Sequence, residues 1–171
     1  MLYNILKRVV SVVFNTLNVL LGGNLPPFGS AVAIVEEQDR YLVVELPDGR
    51  VVFPGGFMTW RENAKDTARR EVQEETGLLV SVDDIIGTYS CPSDRFTNMS
   101  TISCVYTATV VGGALRPSCE GRPYWLHEAE LRTRLSRHSR GILDDYLGYR
   151  TQKSEKEEVS MVLQELLPLA S

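Results

Sequence analysis

The chain has 171 residues, close to the size of one domain and long enough to bury a core without disulfides or a structural metal. Hydrophobic residues at 43% and charged residues at 23% are ordinary for a globular protein and exclude wholesale disorder. A net charge of −4 argues against a protein that works on nucleic acid, yet leaves open small phosphorylated ligands held through metal ions.

Residues 1 to about 21 are expected to form a helix. Asn4, Lys7, Ser11, Asn15 and Asn18 recur at three- and four-residue spacing as a narrow polar stripe, and Leu, Ile, Val and Phe fill the rest. The wide apolar face needs a cover, which the body of the domain, a twin subunit in a homodimer or a membrane surface could each supply. A membrane span is disfavoured. The apolar run from Val9 to Leu21 is shorter than the ~20 residues required and includes Asn15, Thr16 and Asn18. Gly22, Gly23, Pro26 and Pro27 then end the helix. Lys7 and Arg8 stand ahead of the apolar stretch as in a signal peptide, but no small-residue cleavage site follows at the right distance.

Residues 29 to 127 read as strands enclosing one helix. Ala31–Val35 and Tyr41–Leu46 are β-favouring runs joined by the polar Glu36–Arg40 connection, and Pro47-Asp48-Gly49 is a turn leading to Val51–Phe53. Strand character returns at Ile85–Ser90, Ile102–Val111 and Tyr124–His127. Helices are expected around Arg137–Leu147 and Lys156–Leu167, the second with Val159, Val162, Leu163, Leu166 and Leu167 on one apolar face. The pattern predicts one mixed α/β domain, organised as an N-terminal helix and linker over 1–24, a main domain over 25–150 and a helical tail over 151–171. Cys91, Cys104 and Cys119 are odd in number and belong to no CxxC pair, which reads as reduced thiols in a cytoplasmic protein, with membrane association through the N-terminal helix left open. With His127 and His138 the only histidines, no zinc site is expected.

The chemistry lies between Pro54 and Leu78. Asn63 is the expected N-cap of a helix, with Asp66 as its box-like partner, and Gly77 is the natural residue just past its C-terminus. Ala64, Ala68 and Val72 form an apolar strip for docking on a sheet. Beside it Glu71, Glu74 and Glu75 lie at i, i+3 and i+4, so three carboxylates crowd one face. Such crowding fits either a solvated acidic face, with Lys65, Arg69 and Arg70 as partners, or a divalent cation. Oxygen ligands of this kind select Mg²⁺, Mn²⁺ or Ca²⁺. The Pro54-Gly55-Gly56 loop before the helix can offer a backbone carbonyl to the same ion.

Gly56, five residues, Glu62, seven residues, Arg70-Glu71-Val72, one residue, Glu74-Glu75, one residue and Gly77-Leu78 reproduce every defining position of a Nudix box. A chance match in a chain of this length is on the order of one in 10⁷. The chain thus resembles the Nudix hydrolases, with looser similarity from Ala31 to the Trp125 strand. The resemblance implies a mixed sheet sandwiched between helices, and hydrolysis of the diphosphate bond in a nucleoside diphosphate linked to another moiety. It implies Mg²⁺, with Mn²⁺ as a substitute, and Glu71, Glu74, Glu75 and the Gly55 carbonyl as its ligands. Arg70 is similar to the box arginine that orients a neighbouring glutamate, and Glu62 to its salt-bridge partner; Gly56 and Gly77 take the structural glycine positions.

Family members differ in their general base, which is either a box glutamate or an acidic residue in a later loop. Glu120 occupies a similar place before the Tyr124-Trp125 strand. Asp94 is a second acid to consider, and Arg95 a candidate contact for phosphate or ribose. The stretch from Thr88 to Arg95 looks like the segment after the box in ADP-ribose-type members. The expectation leans to ADP-ribose or a nucleotide sugar, with modified nucleoside triphosphates as the alternative. A catalytically silent nucleotide-binding module is the alternative of another class, disfavoured by the complete glutamate set.

Overall fold

β1 (Phe28–Glu37) is the strand around which the other elements assemble in the computed structural model, which describes residues 2–166, with side chains described from Arg8 to Met161 and at Gln164. Its residues alternate between two apolar layers: Ala31, Ala33 and Val35 point one way and Ile34 the other, all at most 1% exposed. Burial on both faces suits the parallel pairing of β1 with β6 (Thr101–Gly113), which runs from Phe28↔Thr101 to Val35↔Ala108. At the end of β1 the polar connection makes a hairpin. Gln38 and Asp39 both take positive φ, 51° and 58°, and lead into the antiparallel β2 (Arg40–Glu45).

The remaining strands complete a seven-stranded mixed sheet. β3 (Val51–Val52) and β7 (Arg122–His127) pair with β2, β4 (Gly55–Phe57) pairs with β1 at Ser30–Val32, and β5 (Leu78–Cys91) pairs with β6. The main path runs β3-β2-β1-β6-β5. β5 starts directly after the helix that ends at Thr76, seven residues before the expected Ile85. Its register shifts at Leu79/Val80, Val82/Ile85 and Ile85/Gly87 interrupt the period-two pattern by which a strand is recognised.

Helices cover both faces of the sheet, as the mixed α/β class requires. On one side α2 (Ala64–Thr76) buries Ala68 and Val72 completely against Ala31, Ala33, Leu42, Val80 and Ala108. Burying Val72 contributes about 1.5–3 kcal/mol, and the small side chains of β1 let α2 approach closely. On the other side α3 (Glu128–Arg134) and α4 (Arg137–Leu166) cover Ile34, Tyr41, Val43, Phe53 and Val105 with Leu131, Leu135, Ile142, Leu143 and Tyr146. The hydroxyl of Tyr146 and the guanidinium of Arg150 both bond Glu36, and Tyr89 donates to Asp145 at 2.7 Å, tying α4 to β1 and β5.

Two helical expectations change. α3 was not foreseen, and the two C-terminal helices are one, α4, continuous across the charged stretch 151–158. Val159 is 59% exposed, so it does not join the core; the side chains of Val162, Leu163, Leu166 and Leu167 lie outside the described residues.

α1 (Leu2–Leu20) forms as expected. The polar stripe faces the protein. Ser11 is buried, Asn15 donates to the carbonyls of Phe96 and Asn98 at 2.8 and 2.7 Å, and the Asn18 oxygen accepts from Leu25 N–H at 2.9 Å. Phe14 packs on Phe28 with ring centroids 4.4 Å apart and the rings tilted by 57°. The stripe members Asn4 and Lys7 have side chains outside the described residues. The apolar face points away from the domain, which therefore does not supply its cover. Among the described residues no helix is long and apolar enough to cross a membrane.

Candidate active site

The site is built where β4 passes the C-terminal half of α2. Pro54 O accepts the Ala33 N–H at 3.0 Å, which fixes the turn to β1 before the two glycines. α2 begins as its sequence dictates: Asn63 is extended (φ −87°, ψ 169°), and its side-chain oxygen accepts from Asp66 N–H at 3.0 Å. It ends at Gly77, whose φ of 79° is the left-handed conformation, with its N–H on Gln73 O. These two caps set which turns of α2 lie opposite the glycine loop.

Within that frame the box residues converge. Glu71 and Glu75 are buried at 8% and 4% exposure, while the side chain of Glu74 is 60% exposed. Glu75 accepts from the backbone N–H of Gly55 at 3.0 Å. At Gly56 the backbone runs so close to α2 that a Cβ would lie 2.4 Å from Glu71 Oε1. Arg70 spreads its fork over five acceptors: both oxygens of Glu62 at 2.7 and 3.0 Å, Glu71 at 2.8 Å, Glu74 at 2.9 Å and Phe57 O at 3.1 Å. Glu62 is held further by Thr59 N–H and the Thr67 hydroxyl, at 3.2 and 3.1 Å.

The charges follow from these contacts. The Arg70 guanidinium holds the Glu62 carboxyl at about 2, well below its ordinary value. Arg70 is itself pushed further up by Glu62 and by the neighbouring Glu71 and Glu74. Glu71 goes the other way. Burial raises its pKa, Arg70 opposes this, and the negative charges of Glu74 and Glu120 add to the rise. Glu120 thus lies close enough to act on Glu71. Among the described residues no side chain bonds its carboxylate, and its backbone N–H donates to Ser118 at 3.1 Å.

The other two predicted residues stand apart from this cluster. Asp94 and Arg95 lie in the loop between β5 and β6, 3.8 Å from each other and exposed; Asp94 also accepts from Asn98 at 2.9 Å. This is the loop that holds Asn15 of α1, and among the described residues it makes no hydrogen bond to a box residue. Two residues were missed. Thr67, fully buried, steadies Glu62; threonine inside a helix gives no signal in the sequence. Arg116 donates its backbone N–H to Thr76 O at 2.9 Å and lays its side chain by Gly77, a cation at a helix C-terminus contributed from a distant loop.

The donors present are the oxygens of Glu71, Glu74, Glu75 and the Gly55 backbone, a hard set. Their carboxylates are turned to protein partners, and among the described residues no three acidic, histidine or cysteine side chains surround one point as a ready-made ion site. The residues fit a divalent cation all the same. The absent Cβ of Gly56 lets the loop backbone lie directly against the Glu71 carboxylate, and the mutual repulsion of Glu71, Glu74 and Glu120 is what such an ion relieves.

The NUDIX domain profile matches residues 26–146. The chain is 28% identical over 130 residues to the ADP-ribose pyrophosphatase of Methanocaldococcus jannaschii, covering 74% of this chain and 76% of that protein. It is 32% identical over 116 residues to the MutT-like protein of Streptomyces ambofaciens, covering 65% of this chain and 72% of that one. A solved NUDIX hydrolase from Nitrosomonas europaea shares the fold, with a TM-score of 0.65 at 22% identity over 72% of this chain and 90% of that chain.

Fold, site and relatives together define a hydrolase of phosphorus-containing anhydrides. The chain belongs to the NUDIX family, whose members act on small nucleoside diphosphate derivatives and generally need a divalent metal ion.

Proposed function

We propose that this protein hydrolyses the diphosphate bond of ADP-ribose or a related nucleotide sugar in the presence of Mg²⁺, with Mn²⁺ as a substitute. The observation that carries the reading is the placement of Glu71 and Glu75 against the Gly55-Gly56 backbone, with Arg70 bonding Glu71 and the neighbouring Glu74. These carboxylates and the Gly55 carbonyl would hold divalent ions, which when bound would neutralise charge on the diphosphate and lower the pKa of the attacking water.

The chain's own groups do the rest. Arg70, anchored by Glu62 and Phe57 O, fixes the direction of the Glu71 and Glu74 side chains. Glu120, near Glu71 and not engaged by another side chain among the described residues, accepts the proton from water as general base. No covalent intermediate is required, because in-line attack by water on one phosphorus completes the reaction. Arg95 and Asp94 contribute to substrate binding from the loop between β5 and β6. The free cysteines support a reducing, cytoplasmic setting.

The ADP-ribose assignment is supported by the Methanocaldococcus jannaschii relative, and the MutT-like relative supports a second reading, a modified nucleoside triphosphate. Product analysis separates them. ADP-ribose as substrate gives AMP and ribose 5-phosphate, whereas a triphosphate gives a nucleoside monophosphate and pyrophosphate. Equal or greater kcat/KM on a triphosphate overturns the first reading and establishes the second.

A further inference from the structure

The geometry points to the outward face of α1 as a docking surface for an anionic lipid bilayer, with the helix lying in the plane of the headgroups. The inward face of α1 is narrow: Ser11, Phe14, Asn15 and Asn18 fall within about 100° of the helix at 3.6 residues per turn. Almost everything else is apolar and uncovered. Val9, Val13, Leu17, Val19 and Leu20 are 53, 55, 48, 69 and 75% exposed, and Val10, Val12 and Leu21 widen the arc to about 200°. Thr16, the polar residue within it, spends its hydroxyl on Val12 O at 2.7 Å. A continuous apolar face of this size marks an interaction surface.

The helix is also complete at its C-terminus. Gly23 N–H bonds Asn18 O at 2.7 Å and Gly22 N–H bonds Val19 O at 3.1 Å, both glycines having positive φ, so the last carbonyls need no partner protein.

Charge and aromatic placement select lipid. Lys7 and Arg8 are the only charged residues among the first 35, so the segment is cationic in a chain whose net charge is −4. Phe96, 51% exposed, borders α1 because its carbonyl receives Asn15. The rings of Phe14, Phe28 and Phe57 form a row with centroid separations of 4.4 and 5.9 Å. Trp60, three residues beyond Phe57, is 85% exposed with the Arg61 guanidinium 4.1 Å over its ring. An exposed tryptophan paired with arginine suits the headgroup level. Asp94, beside Arg95 in the neighbouring loop, is the opposing charge nearby. A second copy of the chain fits less well: one partner helix covers a stripe of about 100°, which leaves half of this arc wet.

The test uses the full chain, pelleted with vesicles of phosphatidylcholine alone or mixed with phosphatidylglycerol, while the joint emission of Trp60 and Trp125 is followed. Binding that is stronger on the mixed vesicles, weakens with salt and shifts the emission to the blue is the expected result. The variant Val13→Glu/Leu17→Glu/Leu20→Glu, all at exposed positions, keeps the helical circular dichroism and solution hydrolysis but loses vesicle binding about tenfold or more. Failure of the wild type to pellet with either vesicle overturns the proposal, as does undiminished pelleting of the variant. A concentration-dependent dimer that the same variant dissolves, without vesicle binding, overturns it in favour of a second copy.

Discussion

A Cβ atom at Gly56 would stand 2.4 Å from Oε1 of Glu71, well inside contact distance. Glycine at that position is therefore a condition for the buried carboxylate of α2 to sit against the loop. Gly56→Ala forces Glu71 or the β4 backbone to move. The expected cost in stability is about 1–3 kcal/mol, and kcat falls about 100-fold because the carboxylate is displaced from its place against the loop. Urea unfolding and steady-state kinetics on the same preparation check both numbers.

Glu62 gives an acid signature. Its carboxyl is held at about 2 by Arg70, against an ordinary 4.5. A group depressed in the folded state contributes stability that is complete above about pH 4.5 and drains away as the pH falls towards 2. The stability gap between wild type and Glu62→Gln is therefore largest at neutral pH and shrinks between pH 4.5 and 2. Denaturation midpoints of the two proteins across that range are the measurement.

At the other end of the scale Tyr41 is pushed up to about 12 by burial and by Glu36, and Tyr146 is raised by the same two causes. A phenol raised in the folded state stabilises fully below about pH 10 and loses that contribution as the pH climbs through the folded value. The α4 docking contact should loosen between pH 10 and 12. Tyrosinate absorbance then appears together with loss of helical signal, and Tyr146→Phe shifts that loss to higher pH.

The site and its supporting helix were legible because local chemistry writes them directly. Asn63 and Gly77 announce the ends of α2, and fixed spacing along one helix face brings Glu71, Glu74 and Glu75 together wherever the chain folds. Glu120 was reachable only through the resemblance, since its approach to Glu71 depends on a loop far along the chain. The orientation of α1 was not legible. A polar stripe beside a wide apolar arc ordinarily turns the apolar arc inward, but Asn15 and Asn18 find backbone partners on the body of the domain and reverse it. The early start of β5 was hidden by its bulges. The union of two helices into α4 was hidden by a charged stretch with no apolar period, which helical propensity alone carries.

Divalent ions should stabilise the fold. Mg²⁺ offsets the burial cost and the repulsion that together raise Glu71, so saturating ion adds free energy of unfolding, about 2.7 kcal/mol at a hundred times the dissociation constant. Thermal unfolding with and without Mg²⁺ reads this, and Glu71→Gln removes most of the response. A rise of equal size in the variant would assign the ion to another part of the molecule.

The most direct test is nucleoside monophosphate release from ADP-ribose, with Mg²⁺ and with chelator, by wild type, Glu75→Gln and Glu120→Gln. Wild type with Mg²⁺ should release AMP, chelator should abolish it, Glu75→Gln should lower it by about 100-fold or more, and Glu120→Gln should lower kcat more than KM. Release that persists in chelator, or that survives Glu75→Gln undiminished, would contradict the assignment of the reaction to the carboxylate cluster of α2.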